Sequence, residues 1–382
     1  MYLTNCWYAA AWSEDLTDST PLERQICGEK LVLFRRADRS IAALAGVCPH
    51  RFASLARGKV LESGHLQCPY HGLQFDASGR CVHNPHGALP VNVRLDSFAT
   101  LERYALIWLW WGDPAQADAT LIPDFQCLVD PRFRTIHGTM VTHGHYELVT
   151  DNLMDLSHVG FLHAGGLGGD AIAKGRHEVF QTGTTIESNR WCPDALASPV
   201  WNALFNNYNR SVDHWLDMRW DAPASMLLDV GVAPAGSGRK GGITQWGAHI
   251  LTPQNEHSTV YFWGSARDFA LDSDETDRQI RTAIEFAFGQ EDKPMIEDVE
   301  RNMGGRTFEE MKPLLLPFDK GAVFTRRMLA DLVAGKKHLQ PTSLPPASRG
   351  GLRRRYKRMI SLPWFSPEYS LRIEAGADSI PS

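Results

Sequence analysis

Between Val47 and Gly72 the chain reads V-C-P-H-R-F-A-S-L-A-R-G-K-V-L-E-S-G-H-L-Q-C-P-Y-H-G. Cys48 and His50 form one close pair, Cys68 and His71 a second, and each pair sits in a tight turn with a proline, Pro49 or Pro69. Two thiols and two imidazoles converging from two loops make a metal site, and the surrounding fold has to present those loops to one another. A single zinc takes four such ligands. A [2Fe–2S] cluster with two cysteines on one iron and two histidines on the other takes them as well. Zinc fingers usually space their ligands as C-x2-4-C and H-x3-5-H. Here each loop contributes one of each kind, C-x-H and then C-x2-H, an order that suits a cluster whose two irons need different ligands.

The 382 residues suggest two to three domains with room for a buried core. A formal charge of −5 gives no global reason to expect nucleic acid as a partner. Five of the seven cysteines lie outside the metal loops and are scattered singly, which does not describe a disulfide framework. A reducing cytoplasm is the simplest setting. The opening M-Y-L-T-N-C-W-Y-A-A-A-W-S-E lacks the basic segment of a signal peptide. No stretch approaches the ~20 apolar residues that a membrane helix needs.

Residues 1–112 read as a small all-β domain, with short apolar runs at 31–34, 41–47, 65–68, 73–76, 91–95 and 105–111 separated by turn residues. Gly64 and Gly72 flank the second metal loop and are expected at tight bends. Residues 113–125 read as a linker. Residues 126–334 mix both periods: a strand over 135–142, a helix over 146–163, strands near 178–181, 184–189, 226–232, 243–251 and 258–265, then helices over about 273–303 and 307–332. The class is α+β, a β domain followed by an antiparallel sheet covered by helices. Residues 335–382 form an extension with prolines and a basic cluster at 349–358, expected to be a solvated tail or a strap for a neighbouring subunit or an acidic partner.

A second constellation follows the first strand of the larger domain: Asn152, Asp155, His158 and His163. Two histidines five apart do not share a face of a regular helix, because five steps turn about 140° out of alignment. A metal would therefore need His163 at a kinked helix end, and the run Gly165-Gly166-Leu167-Gly168-Gly169 permits one. By the same helical reading Asp155, one turn before His158, lies on its face. Pro294 removes a helix hydrogen bond and disfavours helical geometry at Lys293, so the long helix is expected to distort near Asp292.

Together the two constellations resemble the oxygenase components of Rieske non-haem iron oxygenases. The stretches N-C-W-Y-A-A-A-W, C-P-H-R-F-A, H-L-Q-C-P-Y-H-G-L-Q-F-D, N-P-H-G, D-N-L-M-D-L-S-H, H-I-L-T-P and E-D-K-P-M-I-E, spread over roughly 1–335, are similar to the group that includes vanillate O-demethylase, dicamba O-demethylase and chloroacetanilide N-dealkylase. The resemblance implies a Rieske [2Fe–2S] cluster on Cys48, His50, Cys68 and His71. It implies a mononuclear Fe(II) on His158, His163 and Asp292, with Asp298 as the reserve carboxylate. Asp155 would bridge His158 to His71 of an adjacent subunit in a head-to-tail ring, most simply a homotrimer. Asn152 would be a polar neighbour of the iron.

The implied activity is an O2-dependent monooxygenation of an alkyl carbon on nitrogen or oxygen of an aromatic compound, followed by loss of that carbon as an aldehyde. Ring hydroxylation and simple electron carriage are the alternatives. Carriers of respiratory complexes add a disulfide between the cluster loops, whereas this chain has Tyr70 at the corresponding place and no cysteine in 51–55. No G-x-G-x-x-G fingerprint follows a strand, so NAD(P)H enters only through a separate flavin reductase, with or without a ferredoxin. His249 matches a substrate-contacting position of the dicamba enzyme. Leu228 and Ala283 replace a polar and an aromatic contact there, which favours a bulkier and less charged substrate, an N-alkyl amide or large aryl ether, over a small benzoate. Phe288, Trp201 and Phe205 are further candidates for the cavity wall.

Overall fold

The computed structural model describes residues 1–342 apart from Pro90 and Asn207; the basic cluster at 349–358 lies outside the described residues. The N-terminal part carries eleven strands: β1 (Cys6–Trp12), β2 (Leu22–Ile26), β3 (Glu29–Arg35), β4 (Ile41–Ala45), β5 (Lys59–Val60), β6 (Leu66–Gln67), β7 (Gln74–Phe75), β8 (Cys81–His83), β9 (Ser97–Phe98), β10 (Thr100–Arg103) and β11 (Leu106–Trp111). They form three small sheets, ordered β1-β11-β10, β2-β3-β4-β9 and β5-β6-β7-β8. The second metal loop joins β6 to β7, and a bridge between Val47 and Ser54 closes the first. The run 91–95, expected to be a strand, instead makes a single bridge through Arg94 to Arg80.

The larger part is built on seven antiparallel strands: β12 (Arg134–Thr142), β13 (Arg176–Thr182), β14 (Thr185–Leu196), β15 (Ser211–Asp221), β16 (Ser225–Pro234), β17 (Ile243–Asn255) and β18 (Ser258–Arg267). Their order is β12-β18-β17-β16-β15-β14-β13. Among the described residues seven helices accompany them: α1 (Tyr146–Met154), α2 (Asp170–Lys174), α3 (Pro199–Phe205), α4 (Asp274–Phe286), α5 (Lys293–Met303), α6 (Phe308–Met311) and α7 (Lys320–Val333). None is long and apolar enough to cross a membrane.

Three expected helices are corrected. The first stops at Met154 instead of running on to His163, because Asp155 leaves helical geometry (φ −97°, ψ 91°) and its carboxylate accepts the Ser157 N–H at 2.8 Å. Asp155 and His158 therefore do not share a helix face. The long helix divides into α4 and α5 around a π-helical turn over Ala287–Asp292. Pro294 has no N–H to offer the Gln290 carbonyl, and the distortion falls just upstream of it while Lys293 itself stays helical (φ −55°, ψ −50°). The last expected helix breaks at Pro313 and Pro317 into α6, a short turn and α7.

β1 holds the two parts together. All seven of its residues are buried, as expected of a strand covered on both faces. Trp7, Ala9 and Trp12 share an apolar cluster with Ala248, Ile250, Val260 and Phe262 of the large sheet. The Trp12 indole donates to the Gly138 carbonyl at 3.1 Å, and Thr252 donates to the Ala9 carbonyl at 2.7 Å. The segment 113–125 is packed down, with Phe125 fully buried beside Trp108 and Tyr104.

A half-buried ion cluster ties α7 to α1. Arg326 donates to both oxygens of Asp151 at 2.8 and 3.0 Å and to Glu147 at 2.8 Å, and its guanidinium lies over the Phe308 ring. Removing the guanidinium strands two shielded carboxylates; burial already raises Asp151 to about 6. Arg326→Met is expected to destabilise the fold by about 1–3 kcal/mol, read as a lowered Tm. Removing the exposed Arg39 partner of Asp18 should cost no more than about 1 kcal/mol.

Candidate metal centres

The two cluster loops are built on one hydrogen-bonding plan. Cys48 N–H donates to the Ala53 carbonyl at 2.9 Å and Cys68 N–H to the Leu73 carbonyl at 2.8 Å; each cysteine carbonyl in turn accepts from the residue four later, Phe52 or Gly72. That residue must adopt positive φ, +59° for Phe52 and +75° for Gly72, which glycine accepts without cost and phenylalanine does not. Both thiols are buried at 2% exposure inside the apolar cluster of the small domain. The imidazoles lie outward, His50 exposed and His71 half-buried, their ring centroids 4.4 Å apart. His71 Nδ1 is buried and has no hydrogen-bond partner among the described residues. Burial and the adjacent Cys68 thiol push Cys48 up to about 11, so a metal has to displace the Cys48 proton on binding. Inner thiols and outer imidazoles fit a cluster that is sulfur-ligated on its buried side and nitrogen-ligated on its outer side.

The second centre comes from two segments far apart in sequence. The ligand atoms of His158, His163 and Asp292 lie within 4.8 Å of one another. Asp292 Oδ1 is 3.4 Å from His158 Nε2 and 3.3 Å from His163 Nε2. A short 3-10 turn, His158–Gly160, carries the first histidine. The glycine run after His163 then folds back, Gly166 and Gly168 N–H donating to the His163 carbonyl at 3.0 and 2.9 Å. A Cβ at Gly168 would stand 1.6 Å from the Val159 carbonyl oxygen, so glycine alone lets the loop close against the turn.

Each imidazole is held through its other nitrogen. His158 Nδ1 meets the Asp155 backbone carbonyl, and His163 Nδ1 meets Glu291 Oε2 at 2.7 Å. A carbonyl oxygen only accepts, so Nδ1 of His158 carries a proton and Nε2 is the nitrogen left to face a metal beside Asp292. Burial alone would raise the Asp292 carboxyl, but His158 and His163 hold it well below the usual carboxylate range. Burial opposes charge on His163, and Asp292 and Glu291 more than offset it, raising its pKa. Asn152 donates to Asp292 Oδ1 at 3.0 Å. Two imidazoles and one carboxylate with an open side form the donor set of non-haem Fe(II) oxygenases.

The reserve carboxylate Asp298 is exposed and paired with Arg301 at 2.8 Å, away from this centre. Asp155 turns its carboxylate onto Ser157, accepting from N at 2.8 Å and from Oγ at 2.5 Å. Glu291 was not singled out from sequence; its only signal is adjacency to Asp292.

Beside the three ligands opens a cavity lined mostly by apolar side chains, as small-molecule sites are. His249, Leu228, Ala283, Phe288 and Trp201 all line it; of the expected wall, Phe205 does not, and Leu204 on the same helix does. His249 is buried, its Nδ1 paired with the Tyr261 hydroxyl and its Nε2 without a partner among the described residues. Burial pushes this imidazole down to about 4, so it is neutral near pH 7.

The orientation of His163 by Glu291 has a measurable consequence. Glu291→Ala is expected to weaken mononuclear iron binding by about 10- to 100-fold, measured by chelator competition, while the visible absorbance of the cluster stays unchanged.

Comparison with known proteins agrees with this geometry. Residues 6–98 match the Rieske [2Fe-2S] domain, and residues 142–335 match the vanillate O-demethylase oxygenase C-terminal domain. The oxygenase component of dicamba O-demethylase from Stenotrophomonas maltophilia is 41% identical over 333 residues, covering 87% of this chain and 98% of the relative. The oxygenase component of chloroacetanilide N-alkylformylase from Rhizorhabdus wittichii is 38% identical over 336 residues, covering 86% and 95%. The crystal structure of dicamba monooxygenase bound to 3,6-dichlorosalicylic acid superposes with a TM-score of 0.83 over 88% of this chain and 98% of that one. With both domains matched and these relatives covered along nearly their whole length, the chain belongs to the Rieske oxygenase components of demethylating and dealkylating monooxygenases.

Proposed function

We propose that this protein is the terminal oxygenase that removes an alkyl group from nitrogen or oxygen of an uncharged aromatic compound. The observation that carries this reading is the cavity lining. Among the described residues no lysine or arginine lines it, and its polar side chains other than the three ligands are Gln245 and His249. His249 is neutral near pH 7, so a carboxylate lying away from the metal end of the cavity would be desolvated with no side-chain cation to offset it. The named relatives act on both kinds of bond, an O-demethylase and an N-alkylformylase.

Cys48, His50, Cys68 and His71 would hold the [2Fe–2S] cluster, and His158, His163 and Asp292 the Fe(II). Bound there, the two groups supply single electrons and O2 chemistry that adds a hydroxyl to the alkyl carbon, with water as the other product. The chain's own residues position and exclude. Leu153, Leu156, Val159, Leu228, Ile284 and Phe288 form an apolar wall that holds the ring and keeps bulk water away. His249 Nε2 faces the cavity as the hydrogen-bonding point at the metal end, its other nitrogen fixed by Tyr261. Asn152 and Glu291 keep Asp292 and His163 in place. The hydroxylated carbon, now bearing two heteroatoms, releases an aldehyde and leaves the amine or phenol.

Asp155 serves as the electron bridge between subunits in this reading. Its carbonyl holds His158, and its carboxylate, fixed by Ser157, faces His71 of the partner subunit in a head-to-tail homotrimer. A reductase, with or without a ferredoxin, delivers electrons from NAD(P)H to the cluster.

Asp155→Asn is expected to retain both metals and lose most of its turnover; full activity in that variant contradicts the bridge. With a matched reductase, neutral N-alkyl anilides and aryl ethers should release aldehyde faster than vanillate or dicamba. Faster turnover of the two benzoates contradicts the uncharged-substrate reading.

A further inference from the structure

The floor of the cavity is one face of the large sheet. Gln245, Gly247 and His249 alternate along β17 and so point the same way, and all three line the cavity. Across the sheet, His249 pairs with Met226 and Trp263, Gly247 with Leu228 and Ser265, and Gln245 with Val230 and Arg267. His249 marks the metal end: its ring packs edge-on to Phe288 with centroids 5.4 Å apart and feels the Asp292 charge. Gln245 lies four residues along the strand, about 13 Å away between Cα atoms.

Three features make Gln245 more than a wall residue. Its primary amide offers a donor and an acceptor, yet no hydrogen bond from its side chain occurs among the described residues. Val230 and, one strand further, Leu216 are its apolar neighbours on the same face. Arg267, the cation opposite it, is fully engaged and does not line the cavity: it donates to Asp277, to the Phe269 carbonyl at 3.1 Å, and to the Ala270 and Ser273 carbonyls at 3.0 and 3.1 Å. The polarity left at this end is therefore uncharged. Between the two polar residues Gly247 leaves the floor open. A Cβ there would sit 3.0 Å from His249 Nε2 and would crowd the nitrogen that substrate has to reach.

We propose that Gln245 is a distal specificity residue: the substrate is an elongated, uncharged aromatic molecule with a hydrogen-bonding group, such as a carbonyl or amide, at the end remote from the alkyl group it loses. This rests on the uncharged-substrate reading given above. A ligand that covers the amide without satisfying it leaves a buried polar group unpaired, which disfavours apolar-ended analogues.

The test uses the holoenzyme, kept anaerobic so that binding is read without turnover. Isothermal titration compares matched neutral N-alkyl anilides that carry either a distal carboxamide or a methyl group. Native protein should bind the carboxamide at least about tenfold more tightly. Gln245→Met keeps length and volume and should abolish that preference, weakening the carboxamide ligand and leaving the methyl ligand unchanged or tighter. Equal effects on both ligands, or none on either, overturn the role of Gln245 while leaving the neutral-substrate reading standing. If matched benzoates outbind both neutral ligands in native protein, that reading fails and the inference with it. Gln245→Glu gives an independent check should the Met variant not fold: it should weaken acceptor-ended ketones and spare donor-ended amines, and an unchanged ketone affinity overturns the proposal.

Discussion

A carboxylate as deeply buried as Asp292 is tolerable only because three nitrogen-bearing side chains converge on it. Two imidazoles and the Asn152 amide reach its Oδ1 within 3.4 Å, and they arrive from a segment about 130 residues earlier in the chain. Everything around this contact serves to bring the two segments together. The π-turn leads into α5 with Asp292 buried on the same face as Ile296, while Asp298 falls on the exposed face. Asp155 ends α1 early so that His158 sits on a separate turn, and the glycine run folds His163 back beside it. Behind α1, Arg326 pins Asp151 and Glu147, which fixes the helix that carries Asn152.

The cluster loops solve a related problem more locally. Each ligand pair sits within four residues, and one repeated turn buries the cysteine while leaving the histidine outward. With a cluster bound, that asymmetry would leave its sulfur-ligated side shielded and its imidazole-ligated side near the surface. β1 joins the loop-bearing domain to the back of the catalytic sheet, so the orientation of one domain relative to the other is set by apolar packing, to which Ile122 and Phe125 of the segment 113–125 contribute.

Legibility in the sequence tracked this difference in range. Cys48, His50, Cys68 and His71 were readable because their spacing is local and their chemistry specific. His158 and His163 were readable as a pair, but the end of their helix was not: apolar positions continue through Leu156, and no glycine or proline marks the stop. Asp155 followed two residues later by Ser157 was the available sign of an Asx turn. β15 escaped notice because charged residues occupy its second face, among them Arg219 and Asp221, paired with each other at 2.8 Å when both are buried. Its alternating Val212, Leu216, Met218 and Trp220 were the signal that counted. Glu291 was hidden by its neighbour, since two adjacent acids on a helix look alike until one of them is seen to face a histidine.

The most direct test of two separate metal centres in one chain is iron and acid-labile sulfide per chain on anaerobically purified protein, with low-temperature EPR after dithionite reduction. Three irons and two sulfides with a Rieske-type signal are expected. Two irons and two sulfides that persist after added Fe(II) would show that His158, His163 and Asp292 hold nothing, and zinc without sulfide would contradict both centres.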